Sequence, residues 1–292
     1  MFKERIYIFI YYFLKMIVFI LPKSLLNFLA LFVAQITFWC NSKHRKIIDI
    51  NLKLCFPEKS PEERKQIALK IYQNFAKFGI DCIENQNTTK EKILKKVHFD
   101  NEELLIKAVH SKRSLILTTA HYGNWELCAL AYAARFGAMS IVSRALDSKA
   151  MDKILSQNRT QFDMQIIDKK GGLKKMIKAL KDKRTLGILT DQDASANESM
   201  RVKFFDKEVN FLMGASVIAK KMDALLLSAF IYQKEGKYHI KCFEIQDSRL
   251  KSSEELTFYQ AKCCEEMIKF KPDEYFFFHK RFRSFDKELY KN

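Results

Sequence analysis

His121 and Glu126 lie five positions apart in the sequence TAHYGNWE, directly after an apolar run. Imidazole is the natural base near neutral pH, and a carboxylate bonded to one ring nitrogen fixes the tautomer that leaves the other nitrogen free to accept a proton. This is the base and orienting acid of a hydrolase triad without its serine. Because the chain contains no GxSxG, the attacking oxygen would come from the substrate, which predicts acyl transfer to an acceptor hydroxyl.

The spacing restricts how these two side chains can meet. Five residues on a continuous helix advance about 500°, so the two groups would not share a helix face. At a turn from a strand into a helix they can meet, and Gly123 supplies the permissive backbone for such a turn. The helix start beside His121 also offers backbone N–H groups to an oxyanion. The alternative is that His121 only caps the helix and Glu126 faces solvent.

Other kinds of site find little support. The chain lacks HExxH, and the remaining histidines are scattered, so we expect no metal. Neither GxGxxG nor GxxxxGK[ST] occurs, so we expect no nucleotide cofactor. The seven cysteines are odd in number and form no CxxC pair, which indicates a reducing compartment.

Short apolar runs alternate with helical patterns along the chain. The predicted strands are 114–120, 139–143, 164–167 and 185–190, then a hairpin of 225–232 and 238–245; the predicted helices are 61–80, 126–136, 147–162, 172–183 and 253–269. This rhythm predicts an α/β layered domain with a central mixed, partly parallel sheet flanked by helices. With no linker-like stretch after residue 40, we expect one catalytic domain over 41–292.

An apolar band covers residues 6–40, interrupted by Lys15, Pro22 and Lys23. It is longer than the 7–15 residues of a signal-peptide core, so we interpret residues 1–40 as a retained helical membrane anchor. Neither half reaches the roughly 20 uncharged residues of a simple span. A kinked span and an amphipathic anchor in the interface both stay open, and a buried core helix pair is the soluble alternative.

The 51 Lys and Arg against 34 Asp and Glu give a net charge of +17, which favours an anionic partner. Guanidinium groups bind phosphate or carboxylate in a fixed fork, which makes Arg144 and Arg159 candidate clamps. Asp191 and Asp193 follow a predicted strand and can position an arginine or a substrate hydroxyl. The segment 275–283 combines buried-type Phe residues with His279 and Arg281, which we expect to present to phosphate.

Together these motifs resemble the lipid A biosynthesis late acyltransferases, within the glycerolipid-type acyltransferases that carry HxxxxD/E. The resemblance covers about 50–290. It rests on HYGNWE, on Asn51-Leu52 before Cys55-Phe56-Pro57, on Val142-Ser143-Arg144, on 172–180, on Asp191-Gln192-Asp193, on Phe204-Phe205 and on 274–283. The chain departs from the family at Asp206, where Gly usually follows Phe-Phe, and at Pro22, which breaks the anchor.

The resemblance implies an enzyme that moves a fatty acyl chain from acyl carrier protein to a hydroxyl of a phosphorylated, Kdo-bearing lipid A precursor. It implies His121 as base, Glu126 as its partner, and supporting roles for Arg144 and Asp193. It also implies the cytoplasmic face of the inner membrane, no covalent acyl-enzyme, no metal or cofactor, and no nucleic acid partner. A glycerol-phosphate or lysophospholipid acyltransferase is the nearest rival enzyme, and a basic membrane-surface or nucleic-acid-binding scaffold is the alternative of another class.

Overall fold

The computed structural model describes residues 2–291. The helices are α1 (Phe2–Ile20), α2 (Lys23–Cys40), α3 (Ser42–Cys55), α4 (Pro61–Glu84), α5 (Lys90–Lys96), α6 (Glu102–His110), α7 (Trp125–Phe136), α8 (Lys149–Arg159), α9 (Leu173–Lys181), α10 (Gly214–Lys221) and α11 (Ser253–Phe270). The strands are β1 (Val97–Asp100), β2 (Leu115–Thr119), β3 (Met139–Ser143), β4 (Met164–Asp168), β5 (Thr185–Leu189), β6 (Ser199–Phe204), β7 (Lys207–Leu212), β8 (Leu225–Lys234), β9 (Lys237–Cys242) and β10 (Gln246–Asp247).

The central sheet has the strand order β1-β9-β8-β2-β5-β3-β4, with β10 paired to the start of β8. Strands β8, β2, β5, β3 and β4 are mutually parallel, whereas β9 runs antiparallel to β8. β6 and β7 form a separate hairpin. The prediction of an α/β fold with a central mixed, partly parallel sheet is confirmed, and most of the strand pairs are parallel.

Both faces of the central strands are covered, which explains why β2 and most of β8 are continuous buried runs. In β2, Leu115 and Leu117 pack on the side of α6 and α7, while Ile116 packs on the opposite side against α9 and α10. A third group of buried side chains joins α3, α4, α11 and the C-terminal segment to the β6–β7 hairpin. The sheet, with His121 just beyond the end of β2, is therefore held between packed layers.

The apolar band forms two helices that separate at Pro22, whose extended backbone cannot continue α1. Of the α2 side chains, Leu26, Ala30, Ala34 and Phe38 are buried in one stripe, and α2 packs on α4. The opposite side of α1 and α2 is exposed and rich in Phe, Ile and Leu. The alternative of a buried core helix pair is therefore wrong. α2 is the one helix within residues 2–291 with the length and composition of a membrane span.

The sequence prediction missed α3, α5, α6, α10, β1 and the β6–β7 hairpin. The hairpin turns at Phe205 and Asp206, which both have positive φ. This is the arrangement of a two-residue hairpin turn, and Asp tolerates the left-handed region better than most residues. Asp206 thus forms a turn at the position where the resemblance leads us to expect Gly, and its carboxylate pairs with Lys203 at 3.1 Å.

Asn51 ties α3 to the C-terminal segment. Its buried side-chain amide donates to the carbonyls of Phe277 and His279, each at 2.9 Å. Its amide oxygen accepts a hydrogen bond from Tyr290. The segment 274–279 crosses the turn after β2, so Asn51 supports the part of the chain that packs over His121.

We predict that Asn51→Ala lowers the free energy of unfolding by about 1–3 kcal/mol, because it leaves the buried carbonyl of Phe277 and the partly buried carbonyl of His279 without this donor. Denaturant unfolding of the detergent-solubilised protein measures the change. Asn197→Ala, at an exposed position, is the control and should leave stability unchanged. Equal stability of the two variants would show that the Asn51 bonds contribute nothing.

Candidate active site

The turn between β2 and α7 is fixed by its own backbone. Gly123 has φ +55°, and a Cβ there would lie 2.0 Å from the carbonyl oxygen of Ile231, so only glycine fits. The Gly123 N–H donates to the Glu274 carbonyl at 2.8 Å, and the Phe276 N–H donates to the His121 carbonyl at 2.8 Å. His121 is therefore held between the sheet and the C-terminal segment.

His121 is bonded to Asp191. Its Nδ1 lies 2.9 Å from Asp191 Oδ1, and Asp191 is buried. β2 and β5 are parallel neighbours in the register Thr119↔Leu189, so the residues two positions beyond each strand meet at the carboxyl edge of the sheet. Because an ionised carboxylate only accepts hydrogen bonds, Nδ1 donates, and the Nε2 of the neutral imidazole keeps its lone pair.

In the pair of His121 and Asp191, each side chain stabilises the charged form of the other. Burial lowers the pKa of the His121 imidazole, but the charge of Asp191 and its hydrogen bond outweigh burial, so the net pKa lies above the ordinary value. Burial raises the pKa of the Asp191 carboxyl, but the charge of His121 and its hydrogen bond hold that pKa well below the usual range. Asp191 is therefore ionised wherever His121 works as a base.

Glu126 does not bond His121 as the sequence analysis expected. Its two carboxylate oxygens accept hydrogen bonds from Arg159, from Nε at 2.8 Å and from Nη2 at 2.5 Å, and Arg159 Nη1 donates to Ser143 Oγ at 2.8 Å. Glu126 is the second residue of α7, and Arg159, at the last position of α8, takes up both of its oxygens. The negative charge of Glu126 still raises the pKa of His121.

The alternative in which His121 caps the helix and Glu126 faces solvent is also wrong. The cap of α7 is Asn124, whose side-chain oxygen accepts from the Leu127 N–H at 3.0 Å. Glu126 is 6% exposed, and its Arg159 pair is largely buried with it. His121 is thus left free of any capping role, and a catalytic role for Glu126 stays a prediction.

The expectation that His279 and Arg281 present to phosphate is wrong, because Arg281 is fully buried and His279 is partly buried with its ring turned to the interior. Arg281 is fully buried, donates to the Asn210 carbonyl at 3.0 Å, and lies over the rings of Phe204 and Phe211. His279 Nδ1 lies 3.0 Å from the Phe276 carbonyl oxygen. Burial lowers the pKa of His279 to about 4, so this ring is neutral behind the His121 pair.

Of the other predicted substrate-binding residues, Asp193 lies beside the buried Arg281 and Arg144 lies at the surface. Asp193 accepts a hydrogen bond from Ser284 and lies 3.9 Å from Arg281, so it belongs with the buried group. Arg144 follows β3 at the same edge of the sheet, where its side chain is 74% exposed and its nearest ion-pair partner is Asp147 at 3.5 Å. Arg144 therefore remains available to an anionic ligand, whereas Arg281 is not.

An apolar cavity lies between α7 and the sheet. Trp125 lines it and stands against the His121 ring with centroids 5.1 Å apart. Met139 and Gly187 line it deeper in the sheet, and a Cβ at Gly187 would lie 2.4 Å from Met139 Cε. The apolar lining of this cavity suits a hydrocarbon chain.

The aromatic wall around His121 is not predicted by the sequence. Phe276 stands 6.1 Å from the His121 ring, and the Phe78 ring lies 4.5 Å from Trp125. The cavity is not predicted either, although the sequence carries one signal of it: glycine in the middle of a buried strand, as at Gly187, commonly marks a close approach to another group. Neither His121 nor Asp191 belongs to a cluster of three potential metal ligands within residues 2–291.

Comparison with known sequences gives consistent matches. The model of the family described as bacterial lipid A biosynthesis acyltransferase matches residues 2–284. The chain is 25% identical to a lipid A biosynthesis lauroyltransferase of Escherichia coli K12 over 249 residues, which is 83% of this chain and 80% of that protein. It is 23% identical to a lipid A biosynthesis palmitoleoyltransferase of the same strain over 270 residues, 90% of this chain and 87% of that protein.

A third relative is a lipid A biosynthesis myristoyltransferase of Escherichia coli K12, which is 24% identical over 200 residues. That alignment covers 68% of this chain and 61% of the relative. The three names specify three different acyl groups. What the relatives share is therefore acyl transfer in lipid A biosynthesis rather than one acyl length.

We predict that Asp191→Asn lowers the pKa of His121 from above to below the ordinary imidazole value of about 6.5. Burial lowers this pKa, and in the variant the negative charge of Asp191 no longer opposes that effect. NMR of ¹³C-histidine-labelled protein measures the titration, with the His121 signal assigned by its loss in His121→Gln. Asp206→Asn, at an exposed carboxylate, is the control and should leave the titration unchanged. An unaltered His121 titration in Asp191→Asn would refute the pairing.

Proposed function

Because the chain belongs to the bacterial lipid A biosynthesis acyltransferase family, we propose that it transfers a fatty acyl chain from the thioester of acyl carrier protein to a hydroxyl group of a lipid A precursor. The observation that carries the proposal is the 2.9 Å contact between His121 Nδ1 and the buried Asp191 carboxylate. It leaves Nε2 as the basic nitrogen of a ring that stands against Trp125, which lines the apolar cavity.

His121 Nε2 removes the proton of the acceptor hydroxyl as its oxygen attacks the thioester carbonyl carbon. The tetrahedral intermediate collapses with cleavage of the carbon–sulfur bond, and the imidazolium returns its proton to the departing thiolate. Asp191 stabilises the imidazolium that exists between these two steps. The products are an ester and a free thiol, and no acyl group is attached to the protein.

The start of α7 supplies donors for the oxyanion. In the described chain, no acceptor takes the backbone N–H groups of Asn124, Trp125 and Glu126, as expected for the first turn of a helix. They lie three to five positions after His121, and the positive end of the helix dipole favours negative charge there. Glu126, by holding Arg159, acts as a positioning residue that fixes α8 and a guanidinium beside this turn.

The donor acyl chain lies in the apolar cavity beneath α7. Its lining is almost entirely hydrocarbon, and Trp125 connects it to the His121 ring. A chain that enters past Trp125 would extend between α7 and the strands β2, β5 and β3. The Met139 side chain, which lies against Gly187, limits how deep the chain can reach.

The positive charge of this protein favours binding of an acidic donor protein and of a phosphorylated acceptor. The net charge is +17, and the first turn of α9 exposes Lys174 and Lys175 after the carboxyl end of β4, at the edge of the sheet that carries His121. Arg144 is also exposed at that edge. Acyl carrier protein is acidic, and a lipid A precursor carries phosphate, so both partners match this surface.

The exposed apolar face of α1 and α2 is proposed to hold the enzyme at the inner membrane, with its catalytic domain on the cytoplasmic side. Phe9 is 72% exposed, Phe28 is 62% exposed and Trp39 is 56% exposed. Such a surface marks a membrane or a protein interface. α2 packs on α4, and α4 places Phe78 against Trp125, so the proposed anchor is continuous with the site.

We predict that His121→Ala lowers acyl transfer on the order of 10²–10⁴-fold while the protein stays folded, because only the base is lost. Mass spectrometry measures product formation from acyl carrier protein thioester with either a lipid A precursor or lysophosphatidate as acceptor. His110→Ala, at an exposed position, is the control and should retain full activity. Transfer to lysophosphatidate alone would favour the rival enzyme, and unchanged transfer in His121→Ala would exclude the proposed mechanism.

We predict that Gly187→Ala changes the preference for donor length. The added methyl group displaces the Met139 side chain into the cavity, so kcat/KM for the longest accepted donor should fall about tenfold or more relative to shorter donors. A series of acyl carrier protein thioesters measures the ratio. Gly79→Ala, where a Cβ meets nothing within 4 Å, is the control. An unchanged length preference would place the donor chain elsewhere.

A further inference from the structure

A second cluster of reactive side chains lies at the far edge of the sheet. His98 on β1 and His239 on β9 are direct partners in the strand register. Asp100 is two residues beyond His98, so it projects from the same face of β1. The three side chains therefore form one row on one face, separate from the turn that carries His121.

The ligand atoms converge on a common point. His239 Nδ1 lies 3.0 Å from Asp100 Oδ1, and His98 Nε2 lies 3.6 Å from the same oxygen. All three ligand atoms are within 4.8 Å of one another. Tetrahedral Zn²⁺ with bonds near 2.1 Å places its ligand atoms roughly 3.4 Å apart. The two observed distances bracket that separation, so small side-chain rotations would complete the geometry.

Neighbouring groups hold the ligands in place. Tyr232 donates a hydrogen bond to Asp100 Oδ2 at 2.9 Å, which leaves Oδ1 facing the two imidazoles. The Tyr232 ring also lies against His239, with centroids 5.4 Å apart. Hydrogen bonds of this kind to a ligating carboxylate orient metal ligands and strengthen binding.

We propose that His98, Asp100 and His239 form a binding site for a divalent metal ion of the Zn²⁺ type. Two imidazoles and one carboxylate suit Zn²⁺ and its neighbours in the first transition row, whereas Mg²⁺ and Ca²⁺ prefer oxygen ligands alone. Water completes the coordination, because His98 is exposed and open to solvent. The ion would join the short edge strand β1 to β9 and takes no part in acyl transfer.

The test uses the full-length, tag-free protein titrated with Zn²⁺ alone in calorimetry and with Co²⁺ alone in visible absorption. We expect one saturable equivalent, with visible bands of Co²⁺ bound to nitrogen and oxygen, and a rise in Tm with added Zn²⁺. Tyr232→Phe should weaken binding about 10–100-fold by releasing Asp100. Mg²⁺ in place of Zn²⁺ should give no saturable binding.

Variants decide where the metal binds. His98→Ala and His239→Ala should each abolish the saturable equivalent and the rise in Tm, and both should keep their acyl transfer activity. His110→Ala is the matched control and should bind as the unmodified protein does. Saturable binding that persists in the His98→Ala/His239→Ala double variant would place the metal on other residues, such as the cysteines, and overturn the proposal. Absence of binding by the unmodified protein would also overturn it.

Discussion

The site depends on the contact between His121 and Asp191, and that contact depends on two parallel strands being neighbours. β2 and β5 are far apart in the chain, yet their register brings the residues two positions past each strand together. The carboxyl ends of parallel strands are where α/β sheets gather ligand-binding groups. Because the strands are rigid and buried on both faces, the imidazole is oriented before any substrate arrives.

The two carboxylates near His121 have different partners, although the HxxxxE motif alone suggests that Glu126 bonds the imidazole. Asp191 is bonded to the imidazole, and Glu126 is bonded to a guanidinium. An ionised carboxylate in a buried site needs compensating partners, and each of these has its own. Glu126 therefore influences His121 through charge and through the position of α8, whereas Asp191 determines its tautomer directly.

Much of the fold follows from the sequence, since apolar runs of strand length and helical spacing give α7, β3, β5 and α11 to within a residue or two. The elements that were missed, such as β1 and the β6–β7 hairpin, are short and partly exposed, so their patterns carry little signal. Strand order is not encoded locally. His121 and Asp191 were both recognised as candidates, but their pairing requires knowing that β5 lies beside β2. Burial of Arg281 under two phenylalanines likewise depends on tertiary packing.

The central claim is that His121 is the base and that Asp191 sets its basicity. The most direct test is the dependence of kcat/KM for acyl transfer on pH, compared between the unmodified enzyme, Asp191→Asn and Glu126→Gln. The account predicts that kcat/KM rises with pH as His121 loses its proton. In Asp191→Asn the inflection of this curve should move to lower pH, and the plateau value should fall. The shift of the inflection should be larger in Asp191→Asn than in Glu126→Gln. An inflection that shifts only in Glu126→Gln, and not in Asp191→Asn, would contradict the account.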